Sequence, residues 1–155
     1  MRMRSYQQME TGDVYEIVRD AIHLDLLAKQ LTQPQDGATL IFAGVVRNNT
    51  QGRRTLYLEY EGYEPMALRK MREIGETLKQ RWAVNQVGIV HRLGRLEIGE
   101  TSVGIVVTSA HRRTAFEACH FAIDTVKKIV PIWKKEFFED GEIWVEGDFS
   151  QSPIL

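Results

Sequence analysis

Five basic side chains stand where they could hold a small anion: Arg47, His111, Arg112, Lys127 and Lys134. Four of them lie in or beside one stretch, Ser109–Lys134, which reads SAHRRTAFEACHFAIDTVKKIVPIWK. His111, Arg112 and Arg113 open that stretch, and Lys127, Lys128 and Lys134 close it, around one amphipathic helix. Free backbone N–H groups at a helix start favour an anion, and a guanidinium beside them adds a charge-assisted fork. Pro131 falls between Lys127 and Lys134, breaks the helix and redirects the chain, so both amines can face one cleft. Arg47 closes the apolar run Ala38–Val46, at the mouth of the polar loop RNNTQGRR. The expectation is that a folded sheet gathers all five cations around one recess.

The charge balance makes this concentration local. Lys and Arg total 20 against 21 Asp and Glu, for a net charge of -1, so no global field draws the chain to nucleic acid or to an anionic membrane. No nucleic-acid-binding motif is present, and no apolar run has the length of a membrane span. The N-terminal MRMRSYQQMETGD lacks the apolar core of a secretory signal, so the expected compartment is the cytoplasm.

Other chemistries find little support. Cys119 has no second cysteine to pair with and falls on the apolar stripe of its helix. His120 lies on the next face, and no His pair at i, i+4 accompanies it, so no metal site is expected. GVVRNNTQG is not a phosphate-binding P-loop, and no nucleophile elbow or acid–base carboxylate pair stands out. His91 lies within a strand and reads as a packed or half-exposed histidine. Arg113, Lys128 and Lys135 read as solvated charges, and Trp82, Trp133 and Trp144 as core or interface residues.

The elements that must position these residues follow from hydrophobic periodicity. Strands are expected over Val14–Ile22, Ala38–Val46, Thr55–Tyr63, Gln86–Leu96 and Thr101–Ala110. A short helix fits His23–Leu31. Two long ones fit Glu64–Trp82, with Pro65 in its first turn, and Thr114 to Ile129, where Thr114 and Glu117 match a capping box. Lys134–Phe138 and Glu142–Val145 flank Asp140-Gly141, a hairpin signal. Leu56, Leu58 and Tyr60 alternate with polar residues, which predicts one buried face for that strand. Glycine and proline fall only as punctuation, so residues 1–155 read as one domain. Hairpins outnumber β-α-β crossovers, which favours α+β with mainly antiparallel sheet.

Several segments resemble one family, the large catalytic subunits of molybdopterin synthase. They are GATLIFAGVVRN (Gly37–Asn48), LEYEGYEPMA (Leu58–Ala67), VGIVHRLGRLEIGE (Val87–Glu100), VTSAHRRTAFEA (Val107–Ala118), the run Asp124–Glu136 ending in PIWKKE, and GEIWVE (Gly141–Glu146). The combination of SAHR, a helix and then K-x-x-x-P-x-W-K is specific, and the resemblance covers most of Gly37–Glu146. The first 36 residues match it poorly, and Arg113 stands where the family often carries less charge.

The resemblance implies an α/β-hammerhead-like fold and a homodimer. It implies a small ubiquitin-like sulfur-carrier subunit bound at each end, whose Gly-Gly tail bears a thiocarboxylate. It implies transfer of two sulfurs to cyclic pyranopterin monophosphate, giving the dithiolene of molybdopterin, with no cofactor beyond the carrier's sulfur. By motif position Lys127 and Lys134 match the family's active-site lysines, and Arg47, His111 and Arg112 its anion-pocket residues. A different class of reading, a non-catalytic subunit holding an anion or an acidic tail, would use the same cations without chemistry.

Overall fold

The computed structural model describes residues 5–146, the last by its backbone alone. Chain order gives β1 (Val14–Val18), α1 (Leu24–Leu31), β2 (Ala38–Val45), β3 (Asn49–Thr50), β4 (Arg53–Gly62) and α2 (Glu64–Arg81). There follow β5 (Val84–Arg92), β6 (Gly94–Glu97), β7 (Thr101–Ser109), α3 (Arg112–Ile129), β8 (Ile132–Phe138) and β9 (Ile143–Glu146). One sheet runs β1-β5-β7-β2, and a second runs β3-β4-β8-β9 with β6 also on β4. Among the described residues only β1 and β5 pair in parallel; the other pairings are antiparallel. The chain is mixed α+β with two long helices, as its periodicity predicts.

The central strands β5 and β7 of the first sheet are covered on both faces. Met71, Ile74 and Leu78 of α2 pack with Ala118, Cys119, Ala122 and Val126 of α3 against Val87, Ile89, Ile105 and Val107. Leu27 and Leu31 of α1 pack against Val14, Val18, Val90 and Val106 on the other side. A strand enclosed on both faces has no reason to alternate, which accounts for the unbroken apolar runs in β5 and β7. Alanines 115, 118 and 122 and Cys119 give α3 a narrow buried face, so the helix lies close to the sheet. Val46, Leu58 and Leu96 form a smaller core under the second sheet.

Several expectations change on folding. The first strand ends at Val18, short of Ile22. The polar loop after Val46 folds a two-residue strand, β3, back onto β4. The expected strand Gln86–Leu96 is two strands in different sheets. Gly94 sits at φ 92°, a conformation other residues resist, and its neighbours change sheet there. Leu56 is 44% exposed because the β4–β8 register shifts between Thr55 and Tyr57, which rotates that side chain out of the inward face. The helix predicted from Thr114 begins two residues earlier, with His111 as N-cap and no side-chain cap. Glu117 instead accepts hydrogen bonds from Arg113 Nε (3.1 Å) and Trp82 Nε1 (3.2 Å).

Two buried polar groups carry the consequences of this packing. Asp13 accepts hydrogen bonds from the Tyr15 hydroxyl (3.1 Å) and Val87 N–H (2.9 Å) and pairs with Lys79 Nζ at 2.8 Å. Burial, and then the neighbouring Asp13 charge, hold the Tyr15 phenol well above its ordinary pKa. That hydroxyl occupies the space in which a Cβ at position 75 would lie, so α2 needs a glycine at its closest approach to β1. His91, near the end of β5, is only 6% exposed, and burial pushes its pKa down to about 4.

Gly75→Ala should therefore lower stability by about 1–3 kcal/mol through overpacking, even though alanine is the better helix former by about 1 kcal/mol. Urea unfolding checks this, and an unchanged or raised midpoint contradicts the packing. His91 gives a pH effect of definite sign. Its folded pKa lies below the ordinary 6.5, so the neutral ring favours the fold, and this stability is complete above pH 6.5. It declines as pH falls from about 6.5 to about 4, by up to roughly 3 kcal/mol. Urea unfolding at stepped pH should show this slope, and His91→Gln should flatten it.

Candidate active site

A recess of about 930 Å³ opens where the two sheets meet beside the C-terminal turn of α3. Three cationic side chains from separate segments line it. Arg47 stands just past β2, where Val46 anchors the chain in the second sheet's core. Lys127 sits in the last turn of α3. Lys134 lies on β8, opposite Tyr60 of β4 in the antiparallel register.

The turn between the lysines follows from local chemistry. Val130 caps α3 in an extended conformation (φ -76°, ψ 121°), the conformation a residue before proline prefers. Pro131 cannot continue the helix, and its carbonyl accepts the Tyr63 N–H at 3.1 Å. The chain then enters β8 at Ile132, and Lys134 faces the same recess as Lys127 although seven residues separate them. Two residues on, the buried Glu136 accepts hydrogen bonds from the hydroxyls of Thr50 (2.7 Å) and Thr55, which ties β8 to β3 and β4.

The remaining walls are mostly apolar, from Phe42 and Val45 near the end of β2, Val103 on β7, and Ile123, Val126 and Val130 in and just after α3. Tyr60, His91 and Ser102 add neutral polar groups. Tyr60 meets the His91 ring edge-on at 5.2 Å, and the Ser102 hydroxyl donates to the Gly44 carbonyl at 3.3 Å. Arg47 and Lys127 are exposed and Lys134 is half-buried, and three positive charges gathered at one concave surface raise the local concentration of an anion.

His111 and Arg112 lie elsewhere. Both are exposed at the start of α3, and the 15-residue interval from Arg112 to Lys127 corresponds to about 22 Å of helix rise. The N-terminal turn carries no side-chain cap and no acidic residue, so two arginines sit at the positive end of the helix dipole. Arg113 is largely solvated and pairs with Glu117. Of the five cations singled out in the sequence, one chain thus brings Arg47, Lys127 and Lys134 to the recess and leaves His111 and Arg112 at the far end of the helix.

The sequence reads His91 as a packed or half-exposed histidine and gives Tyr60 and Ser102 no site role, whereas all three line the recess. A polar histidine interrupting the apolar run VGIVHR is the available signal for His91; the others carry none. Cys119 is buried on the α3 core face, where burial raises its thiol to about 11, unsuited to a nucleophile. Among the described residues no cluster of three or more His, Cys, Asp or Glu could hold a metal ion. No helix there is long and apolar enough to cross a membrane.

Comparison with known proteins gives a consistent result. The MoaE protein family matches residues 17–129. A molybdopterin synthase catalytic subunit from Halalkalibacterium halodurans is 45% identical over 135 residues, covering 87% of this chain and 86% of its own. The human molybdopterin synthase catalytic subunit is 40% identical over 135 residues, covering 87% of this chain and 72% of its own. The crystal structure of molybdopterin synthase from Staphylococcus aureus superposes with a TM-score of 0.81 at 40% identity, covering 90% of this chain and 99% of that one. With the family match spanning most of its length and these relatives aligned across both sheets, the chain belongs to the MoaE protein family.

Proposed function

We propose that this chain is the catalytic subunit of a molybdopterin synthase and that its recess is where sulfur is transferred. The donor in this reading is the thiocarboxylated C-terminus of a small ubiquitin-like carrier, and the acceptor is cyclic pyranopterin monophosphate. Carrier sulfur forms a bond to a side-chain carbon of the pterin as an oxygen on that carbon leaves, as water from the hydrated carbonyl at one carbon and as the phosphate-ester oxygen at the other. Water then cleaves the carrier's C–S bond, leaving sulfur on the substrate and returning the carrier as a carboxylate. Two such transfers produce the dithiolene.

The observation that carries this reading is the meeting of Arg47, Lys127 and Lys134 around one recess. A thiocarboxylate and a phosphate are both anionic, and each repels the other unless fixed cations stand between them. Negative charge also builds on the carrier's carbonyl oxygen during C–S cleavage, where a preorganised ammonium is most effective. Lys127 is assigned to that oxygen, and Lys134 to the pterin intermediate. Arg47 holds the phosphate.

His111 and Arg112 complete the phosphate grip in this reading, and their distance from the recess requires a second copy of the chain to supply them. The homodimer and the shared pocket are therefore one proposal. Bare N–H groups and two arginines at a helix start are suited to a phosphate.

Lys127→Ala should lower kcat for dithiolene formation by about 10²–10³-fold, with far-UV circular dichroism unchanged. Near wild-type turnover would remove Lys127 from the chemistry, and absence of product with wild-type protein, carrier and pterin would leave only a binding subunit. Arg112→Ala and Lys127→Ala should each be impaired alone. Mixed and allowed to exchange protomers, they should recover about a quarter of wild-type activity, because half the dimers are mixed and one site of each is intact. No recovery on mixing would place Arg112 outside the partner's pocket.

A further inference from the structure

The cations that line the recess share one limitation: guanidinium and ammonium groups donate hydrogen bonds and cannot accept them. A pterin brings ring N–H donors of its own, and a donor shut away from water without an acceptor is costly. Among the described residues, and apart from rotating hydroxyls, the recess wall offers one side chain that can meet such a donor in a fixed direction.

That side chain is His91. Its Nδ1 lies 3.0 Å from the carbonyl oxygen of Arg92. A carbonyl oxygen can only accept, so Nδ1 carries the ring proton and the lone pair is at Nε2. Among the described residues Nε2 makes no hydrogen bond, yet it is not one of the enclosed unsatisfied atoms, which are Gln86 Oε1 and Arg92 Nε. The ring lines the recess, so Nε2 has its access there. Tyr60 packs edge-on at 5.2 Å, and the Arg92 carbonyl holds Nδ1, so the direction of the lone pair is set by the fold. The hydroxyls of Tyr60 and Ser102 can rotate, and Ser102 already donates to Gly44.

We infer that His91, through Nε2, is a substrate-binding residue that accepts a hydrogen bond from a ring N–H of the pterin, while Arg47 and the lysines take its anionic parts. This rests on the pterin reading above and names the group that recognises the heterocycle. Burial favours the neutral ring, with a pKa of about 4, so at neutral pH His91 acts as an acceptor and makes a poor general base. A protonated imidazole at the same place would add a fourth donor and lose the complementarity. Phe42 and Tyr60 supply aromatic surface at the recess for the flat ring system.

The test uses the full chain with thiocarboxylated carrier and the pterin substrate. His91→Phe keeps a flat ring and removes the acceptor; it should raise the pterin KM about 5- to 150-fold, with kcat and carrier affinity little changed. His91→Gln can present an amide oxygen near the Nε2 position and should recover most of that loss. A phenylalanine variant with a pterin KM within twofold of wild type, or a glutamine variant no better than phenylalanine, overturns the assignment. In wild-type protein labelled with ¹⁵N-histidine, pterin should move the Nε2 resonance of His91, assigned by its absence from the His91→Gln spectrum. This measurement stands even if the phenylalanine variant fails to fold, and an unmoved resonance at saturating pterin overturns the proposal. Normal dithiolene formation alongside an unmoved resonance sinks the His91 assignment alone. Wild-type protein that neither binds nor converts the pterin sinks the functional reading and this inference together.

Discussion

Like charges repel, and the recess sets Arg47, Lys127 and Lys134 around one space. Holding these positive charges close together is the constraint on which the rest of the structure depends. A flexible loop would let three cations drift apart into water, where each is better solvated. Here each is tied to a stiff element or to the chain just beyond one: the segment leaving β2, the last turn of α3, and the middle of β8. The free energy that fixes them comes from apolar burial elsewhere, around the doubly covered strands and in the small core of Val46, Leu58 and Leu96.

The same constraint gives meaning to the break at Pro131. Had α3 continued, position 134 would lie seven residues along the same helix from Lys127, about 10 Å further from the sheet junction. Ending the helix and starting a strand at Ile132 returns Lys134 to the recess and hydrogen-bonds β8 to β4 over seven register pairs. Glu136 and its two threonine partners then fix the strand's position. The two ends of α3 are unlike in consequence. One delivers a lysine to the recess, and the other presents uncapped N–H groups with arginines to the exterior.

Between the cations stands a group of opposite hydrogen-bonding character. His91 is neutral because the strand that carries it is buried, and its tautomer follows from the Arg92 carbonyl. Charge and lone pair are thus supplied by different elements. The cations come from the segment leaving β2, the last turn of α3 and β8, and the acceptor comes from β5.

Composition and periodicity by themselves determined the α+β class, the two long helices and the hairpin at Asp140-Gly141, because each depends on local spacing and on residues with special backbone preferences. They also marked five cations and the helix break that turns the chain between two of them. Only the tertiary structure decided which cations share a space. Arg47 joins Lys127 through sheet pairing across some eighty residues, whereas Arg112, on the same helix as Lys127, is separated from it by the helix's own length. The split at Gly94, the outward turn of Leu56 and the place of His91 in the recess wall were likewise settled by which strand pairs with which. Sequence spacing records distance along the chain, and a site is made of distances across it.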